Sequence, residues 1–188
     1  MKILLVSGSL RTDSWNTKVL LNARNLVADD DVEFELFDGL KAVPPYDEDD
    51  DLDPAPAAVA ALRDAIAGAD GVFFSTPEYN SSIPGQLKNV IDWASRPIAT
   101  NVLRNKPVAV VGASTGAFGA VWAQAELQKV LAAAGARVVE GEVAIGHAPT
   151  RFDENGYLAD DNLRGELEEV VTTLVAAVRE RAALLSAA

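Results

Sequence analysis

Apolar residues along the chain fall into two arrangements that alternate: short unbroken runs, and longer stretches where they recur three or four positions apart. Ile3 to Val6 is an unbroken run, the pattern of a strand buried on both faces. After a polar turn, Trp15 to Val27 places Val19, Leu20, Ala23, Leu26 and Val27 on one helical face. Val32 to Phe37 alternates apolar and acidic residues, which suits a strand nearer a sheet edge. Pro44-Pro45 cannot continue a strand, so residues 39 to 54 read as a loop. Pro56 to Ala67 predicts a helix with proline in its first turn. Further strands are expected at Val72–Phe74 and Val108–Val111, and a broken one at Val138–Ile145. Helices are expected at Pro84–Trp93, at Phe118–Ala134 up to Gly135, and at Leu163–Leu185, after a polar loop from Arg151 to Asp161.

Five strands, each followed by a helix, imply an α/β fold: a doubly wound parallel sheet with helices on both faces, because right-handed crossovers place them there. In such sheets ligands sit beyond the carboxyl ends of the strands. Three turns occupy those ends, Ser7–Asn16, Thr76–Ser82 and Gly112–Gly119, and all are rich in Gly, Ser, Thr and Asn. No repeat or linker divides the chain. Its 188 residues, 49% hydrophobic, are enough for one domain over 1–188 and too few for two.

Charge narrows the partners. A net charge of −12 repels phosphate backbones, so nucleic acid is not expected, and any anionic ligand depends on a local positive site. The absence of cysteine excludes disulfides, thiolate nucleophiles, cysteine-bound zinc and iron–sulfur clusters, and the single histidine, His147, excludes a multi-histidine metal site within one chain. The apolar run at the N-terminus is too short for a signal-peptide core, and no stretch approaches the ~20 apolar residues of a membrane span. The expectation is a soluble cytoplasmic protein without membrane contact. Asp47 to Asp53 carries six acids and reads as a solvated loop. It lacks the glycine and the spaced final glutamate of a calcium loop.

The first turn, Ser7 to Asn16, has the chemistry of an anion site. A helix N-terminus offers unpaired N–H groups and the positive end of its dipole. Ser9 and Ser14 add hydroxyls, Asn16 an amide and Arg11 a charge-assisted fork. The plain alternative is that Ser14 only caps the helix. Neither G-x-G-x-x-G nor a Walker sequence is present. The second turn, Ser75 to Gly85, offers N–H groups and the aromatic body of Tyr79 to a flat heteroaromatic ring.

Gly8-Ser9-Leu10-Arg11 with Ser14 and Asn16, Pro77-Glu78-Tyr79-Asn80, and the stretch Leu87 to Pro97 occur in this order in the first half of the chain. Together they resemble the NADPH-dependent FMN reductase family, a flavodoxin-like group that includes chromate and quinone reductases and some azoreductases. The resemblance implies a flavodoxin-like sheet of order 2-1-3-4-5. It implies FMN as cofactor, with NADPH or NADH as co-substrate and a small-molecule electron acceptor such as a quinone, an azo dye, chromate or free flavin. In the roles it implies, Ser9, Arg11, Ser14, Trp15 and Asn16 hold the FMN phosphate, Pro77, Glu78, Tyr79 and Asn80 border the isoalloxazine, and Ser114 lies near the ring. It also implies a homodimer or homotetramer, with the helix from Gln86 to Ala94 near the contact. Members of the family often carry Lys-Gly where this chain has Thr12-Asp13. Asp13 is therefore expected to weaken FMN binding unless it points away or caps the helix.

The cofactor performs the redox step in such an enzyme, and the protein orients and tunes it. No side-chain acid or base is required, so no catalytic residue is assigned. N–H groups of Ser114 to Gly119, at the start of a helix, are placed to meet negative charge on the reduced ring. Glu78 reads as structural or solvated rather than as a general base. Trp93 and Trp122 read as core or subunit packing, and His147 as a plain loop residue. Three rival readings remain. Gly112-Ala113-Ser114-Thr115-Gly116 matches the G-x-S-x-G of a serine hydrolase, with His147 and Glu140 or Glu142 as the partners it would need. A non-enzymatic flavin electron carrier is another, and a protein that kept the fold but lost the cofactor is the third.

Overall fold

The computed structural model describes residues 1–27 and 29–187. Strands β1 (Lys2–Ser7), β3 (Gly71–Thr76) and β4 (Pro107–Ala113) form the sheet centre, and β3 and β4 are buried along their whole length. β2 (Glu33–Phe37) is an edge strand, and its charged Glu33 and Glu35 face solvent. The fifth strand is broken, as its sequence implied. β5 (Arg137–Val138) pairs with the start of β4, and β6 (Ala144–Ile145) with its end. Gly141, at φ 131°, lies in the interruption, and a Cβ there would stand 2.6 Å from Val170. All pairings are parallel, and the order is β2-β1-β3-β4-β5.

Period-two alternation sends the two faces of each strand into separate cores. Ile3, Leu5, Phe73, Ala109 and Val111 pack beneath α1 (Trp15–Leu26) and α5 (Asp161–Ser186). Leu4, Val6, Val72, Phe74, Val108 and Val110 pack beneath α2 (Ala57–Ala67), α3 (Gly85–Ala94) and α4 (Val121–Ala133). The result is the flavodoxin-like doubly wound arrangement. Two helices start on side-chain caps: Ser14 Oγ accepts from Thr17 N–H, and Asp160 accepts from Asn162 and Leu163 N–H.

The structure departs from the sequence reading in two places. α4 begins at Val121, three residues later than its apolar pattern implied, because Gly119 (φ 59°) and Ala120 (φ 65°) are both left-handed. The 39–54 loop contains two short 3-10 turns, Gly39–Ala42 and Glu48–Asp50, and its acidic run is not wholly solvated. Asp51 is nearly buried and pairs with Arg63 at 2.8 Å, while Arg63 lies over the Trp93 ring. Among the described residues no group of three or more His, Cys, Asp or Glu side chains converges as a metal site. No helix among them is long and apolar enough to cross a membrane.

Candidate active site

The turns after β1, β3 and β4 enclose a cavity of ≈100 Å³. The first turn contributes Ser9, Arg11, Ser14, Trp15 and Asn16 to its wall, the second Pro77, Glu78 and Tyr79, and the third Ser114. Ala113 and Thr115 also line it; the sequence reading named Thr115 for its backbone N–H and Ala113 only within the Gly112–Gly116 motif. Asn80 lies outside the lining. It and Ser81 are left-handed (φ 53° and 60°) in a tight turn closed by two backbone bonds between Tyr79 and Ser82, of 3.0 and 3.1 Å. Two consecutive left-handed residues define a type I′ turn, so Asn80 shapes the loop that presents Tyr79.

The first turn holds several donors without protein partners. Ser14 Oγ accepts from Thr17 N–H, and its own hydrogen is left to donate. Both readings of Ser14, cap and anion donor, are thus compatible in one residue. The N–H groups of Trp15 and Asn16 and the Trp15 indole N–H have no hydrogen-bond partner among the described residues. The exposed Arg11 guanidinium makes no ion pair among them either. The Asn16 side chain differs. Its Nδ2 donates to Ala113 O at 3.0 Å, and its Oδ1 accepts from Ala113 N–H at 3.0 Å and from the Ser75 hydroxyl at 2.8 Å. The amide offered in the sequence reading as a phosphate donor is instead engaged with the ends of β3 and β4, leaving the Asn16 backbone N–H for an anion.

Asp13 does not face the cavity. Its carboxylate pairs with Lys18 at 2.7 Å, and the ammonium beside it holds the carboxyl below the usual carboxylate range. Glu78 is structural: its Oε2 accepts from the N–H groups of Trp122 and Ala123, at 3.1 Å each. It thereby caps α4, whose own N-cap, Ala120, has no side-chain acceptor. The third turn is consequently a loop ahead of a capped helix and not the first turn of one. Within it Ser114 N–H donates to Ile145 O and Gly116 N–H to Ser114 Oγ, while the N–H groups of Thr115, Ala117 and Phe118 have no partner among the described residues. Gly119 and Gly146 let this loop cross the 144–148 segment. A Cβ on either would lie 2.2 Å from backbone of the other strand of chain. Trp93 is core, as expected, whereas Trp122 is 48% exposed and stacks edge-on against the exposed Phe118.

The hydrolase constellation is not assembled. Ser114 Oγ accepts from Gly116 N–H, and no hydrogen bond joins it to the His147 ring among the described residues. Ser114 is not among the residues at positive φ, as a strained nucleophile elbow would require.

The profile of the NADPH-dependent FMN reductase family matches residues 1–150. The chain belongs to this family. The reductase is 40% identical over 182 residues to a 2-hydroxy-1,4-benzoquinone reductase of a Burkholderia species, covering 96% of this chain and 98% of that one. It is 40% identical over 180 residues to an NAD(P)H-dependent FMN reductase of Pseudomonas aeruginosa, covering 95% and 96%. Among solved structures it superposes with TM-score 0.82 on the flavoenzyme NAD(P)H:(acceptor) oxidoreductase FerB of Paracoccus denitrificans, at 34% identity, covering 95% of this chain and 97% of that one. The reductase is accordingly an FMN- and nicotinamide-dependent oxidoreductase.

Proposed function

We propose that this chain is a single FMN-binding domain, 1–188, that uses NAD(P)H to reduce small quinones. The observation that carries the reading is the set of unpartnered donors at the carboxyl end of β1: the Arg11 guanidinium, the Trp15 indole, and the Trp15 and Asn16 N–H groups at the start of α1. A phosphate monoester matches that set, and these groups have no acceptors among the described residues. The enclosed ≈100 Å³ suits the phosphate end of the cofactor and is too small for its tricycle. The ring would therefore lie at the mouth, bordered by Pro77, the backbone of Glu78, the exposed Tyr79 and the 114–118 loop.

Bound FMN supplies the chemistry of accepting hydride from the nicotinamide and passing electrons to the acceptor. The residues around it bind, orient and stabilise. Ser9, Arg11, Ser14 and Trp15 hold the phosphate, and Asn16 does so through its backbone while its side chain fixes the strand ends. Ser114 and the free N–H groups of Thr115, Ala117 and Phe118 meet negative charge on the ring. Glu78 serves by capping α4, which holds the second and third turns together. A 1,4-benzoquinone acceptor is favoured by the name of the 40%-identical Burkholderia relative. We place the enzyme in the cytoplasm and as a homodimer or homotetramer. Exposed Ile98, beside a ≈450 Å³ cleft between the ends of α3 and α4, supports a subunit contact there.

The test is titration of cofactor-free protein with FMN and riboflavin, followed by NADPH with and without a benzoquinone. The complex is expected to be yellow, to bleach with NADPH and to turn over only with acceptor, which also separates it from a pure carrier. Loss of one charge-assisted contact in Arg11→Ala should weaken FMN binding about 10- to 150-fold and riboflavin binding far less. Equal affinity of wild type and variant for FMN refutes the phosphate assignment, and protein that retains no flavin refutes the function.

A further inference from the structure

We propose that Asp13 and Lys18 are positioning residues for the phosphate end of the site, with Asp13 holding Lys18 against the indole of Trp15. The inference rests on the flavin reading above. Lys18 Nζ lies 2.7 Å from the Asp13 carboxylate and 4.3 Å from the centroid of the Trp15 ring. Trp15 also stacks on Phe152, with centroids 5.3 Å apart and planes 28° from parallel. The indole of Trp15, a residue of the cavity wall, is thus held by an aromatic ring and by a cation, and the cation is itself paired with a carboxylate.

The Phe152 end of this ladder and the stem of Lys18 are anchored. Phe152 opens a small hairpin that bridges to Leu158. That hairpin is tied to α1 by the buried Asn22, which donates to Gly156 O at 2.9 Å and accepts from Leu158 N–H at 2.8 Å. The Lys18 stem runs along Gly156, where a Cβ would stand 3.7 Å from Lys18 Cδ. The Lys18 side chain is accordingly only 27% exposed, against 73% for Asp13. Without Asp13, Lys18 has solvent as a competing partner, and its hold on the ring weakens.

This reverses the sign expected from charge alone. If Asp13 acted on the phosphate by repulsion, its neutralisation would tighten FMN binding. As a positioning residue, its neutralisation loosens Trp15 and weakens binding. A partly exposed cation–π contact corresponds to about two- to five-fold in affinity.

The experiment compares wild type with Asp13→Asn, Lys18→Met, the double variant and Lys18→Arg. Each is titrated with FMN and with riboflavin. Cofactor-free samples labelled with 5-fluorotryptophan are followed by fluorine NMR, with Trp15→Phe assigning the signal. Asp13→Asn and Lys18→Met should each weaken FMN binding about two- to five-fold. The double variant should be no weaker than Lys18→Met, and Lys18→Arg should stay close to wild type. Riboflavin affinity should change less. In the NMR, the Trp15 resonance should shift or broaden in both single variants while those of Trp93 and Trp122 stay in place. Tighter or unchanged FMN binding in Asp13→Asn overturns the proposal, as does an unmoved Trp15 resonance. Wild-type protein that binds no FMN overturns the flavin reading instead, and the resonance still decides whether Asp13 and Lys18 position Trp15.

Discussion

Replacing Asn16 by alanine separates a scaffold role from a ligand role. Asn16 is 3% exposed, and its side chain makes three hydrogen bonds, donating to Ala113 O and accepting from Ala113 N–H and from the Ser75 hydroxyl. Alanine leaves all three partners inside the protein without their bonds. A buried polar group left unpaired costs about 1–3 kcal/mol. The Ser75 hydroxyl can rotate and water can enter the vacated space, so the lower end applies to each and the sum is about 3 kcal/mol. At about 2–4 °C per kcal/mol for a chain of this size, the melting temperature of the cofactor-free protein should fall by roughly 6–12 °C. Urea unfolding should show a lower midpoint at unchanged slope. Asn16→Asp keeps both acceptor bonds but sets a buried charge against the Ala113 carbonyl, and should be at least as damaging. Had the Asn16 side chain served as a phosphate ligand, cofactor-free stability would be untouched and only FMN affinity would fall. A loss below about 1 kcal/mol in the cofactor-free protein refutes the scaffold assignment.

Gly146→Ala puts a methyl 2.2 Å from Ala117 O, so backbone must move. An overpacking cost of about 1–3 kcal/mol should appear as weaker FMN binding and lower stability, while Gly165→Ala, with nothing within 4 Å, should be neutral or stabilising in the same assays. Lys106 is buried and donates to Ala67 O and Ala69 O at the end of α2. Burial, and secondarily Arg181, push its pKa below the ordinary 10.5, with Asp70 opposing. Both folded and unfolded forms carry the proton below the folded pKa, where the penalty of burying the charge is full. Between that pKa and 10.5 the folded form loses its proton first, so this group makes stability rise with pH. Wild-type stability measured from pH 8 to 10.5 should rise relative to Lys106→Met, and parallel curves refute the assignment.

The parts of this fold legible in the sequence are those set by neighbours close along the chain. The central runs of β1, β3 and β4, at Ile3–Val6, Val72–Phe74 and Val108–Val111, are apolar without interruption because each is buried on both faces, and the three polar turns stand out because they interrupt that pattern. The start of α4 was not legible, since an alanine at φ 65° leaves no mark in composition and Phe118 continues the apolar spacing. Polar side chains in the turns were legible as a group but not one by one, because a donor's role depends on partners far along the chain. Asn16 and Arg11 look equivalent as phosphate donors until Ala113, 97 residues away, is found to occupy the asparagine. Glu78 reads as structural or solvated in the sequence, and only the N–H groups of α4, 44 and 45 residues on, decide between the two by holding its carboxylate. Asp13 looks opposed to an anion until Lys18 is found beside it. Each of these engagements removes a polar group from the list of possible ligands. The donors that remain after them, the Arg11 guanidinium, the Trp15 indole and the N–H groups at the start of α1, sit together at one strand end. That remainder, more than the number of polar residues in the turns, is the ground on which the first turn is proposed as an anion site.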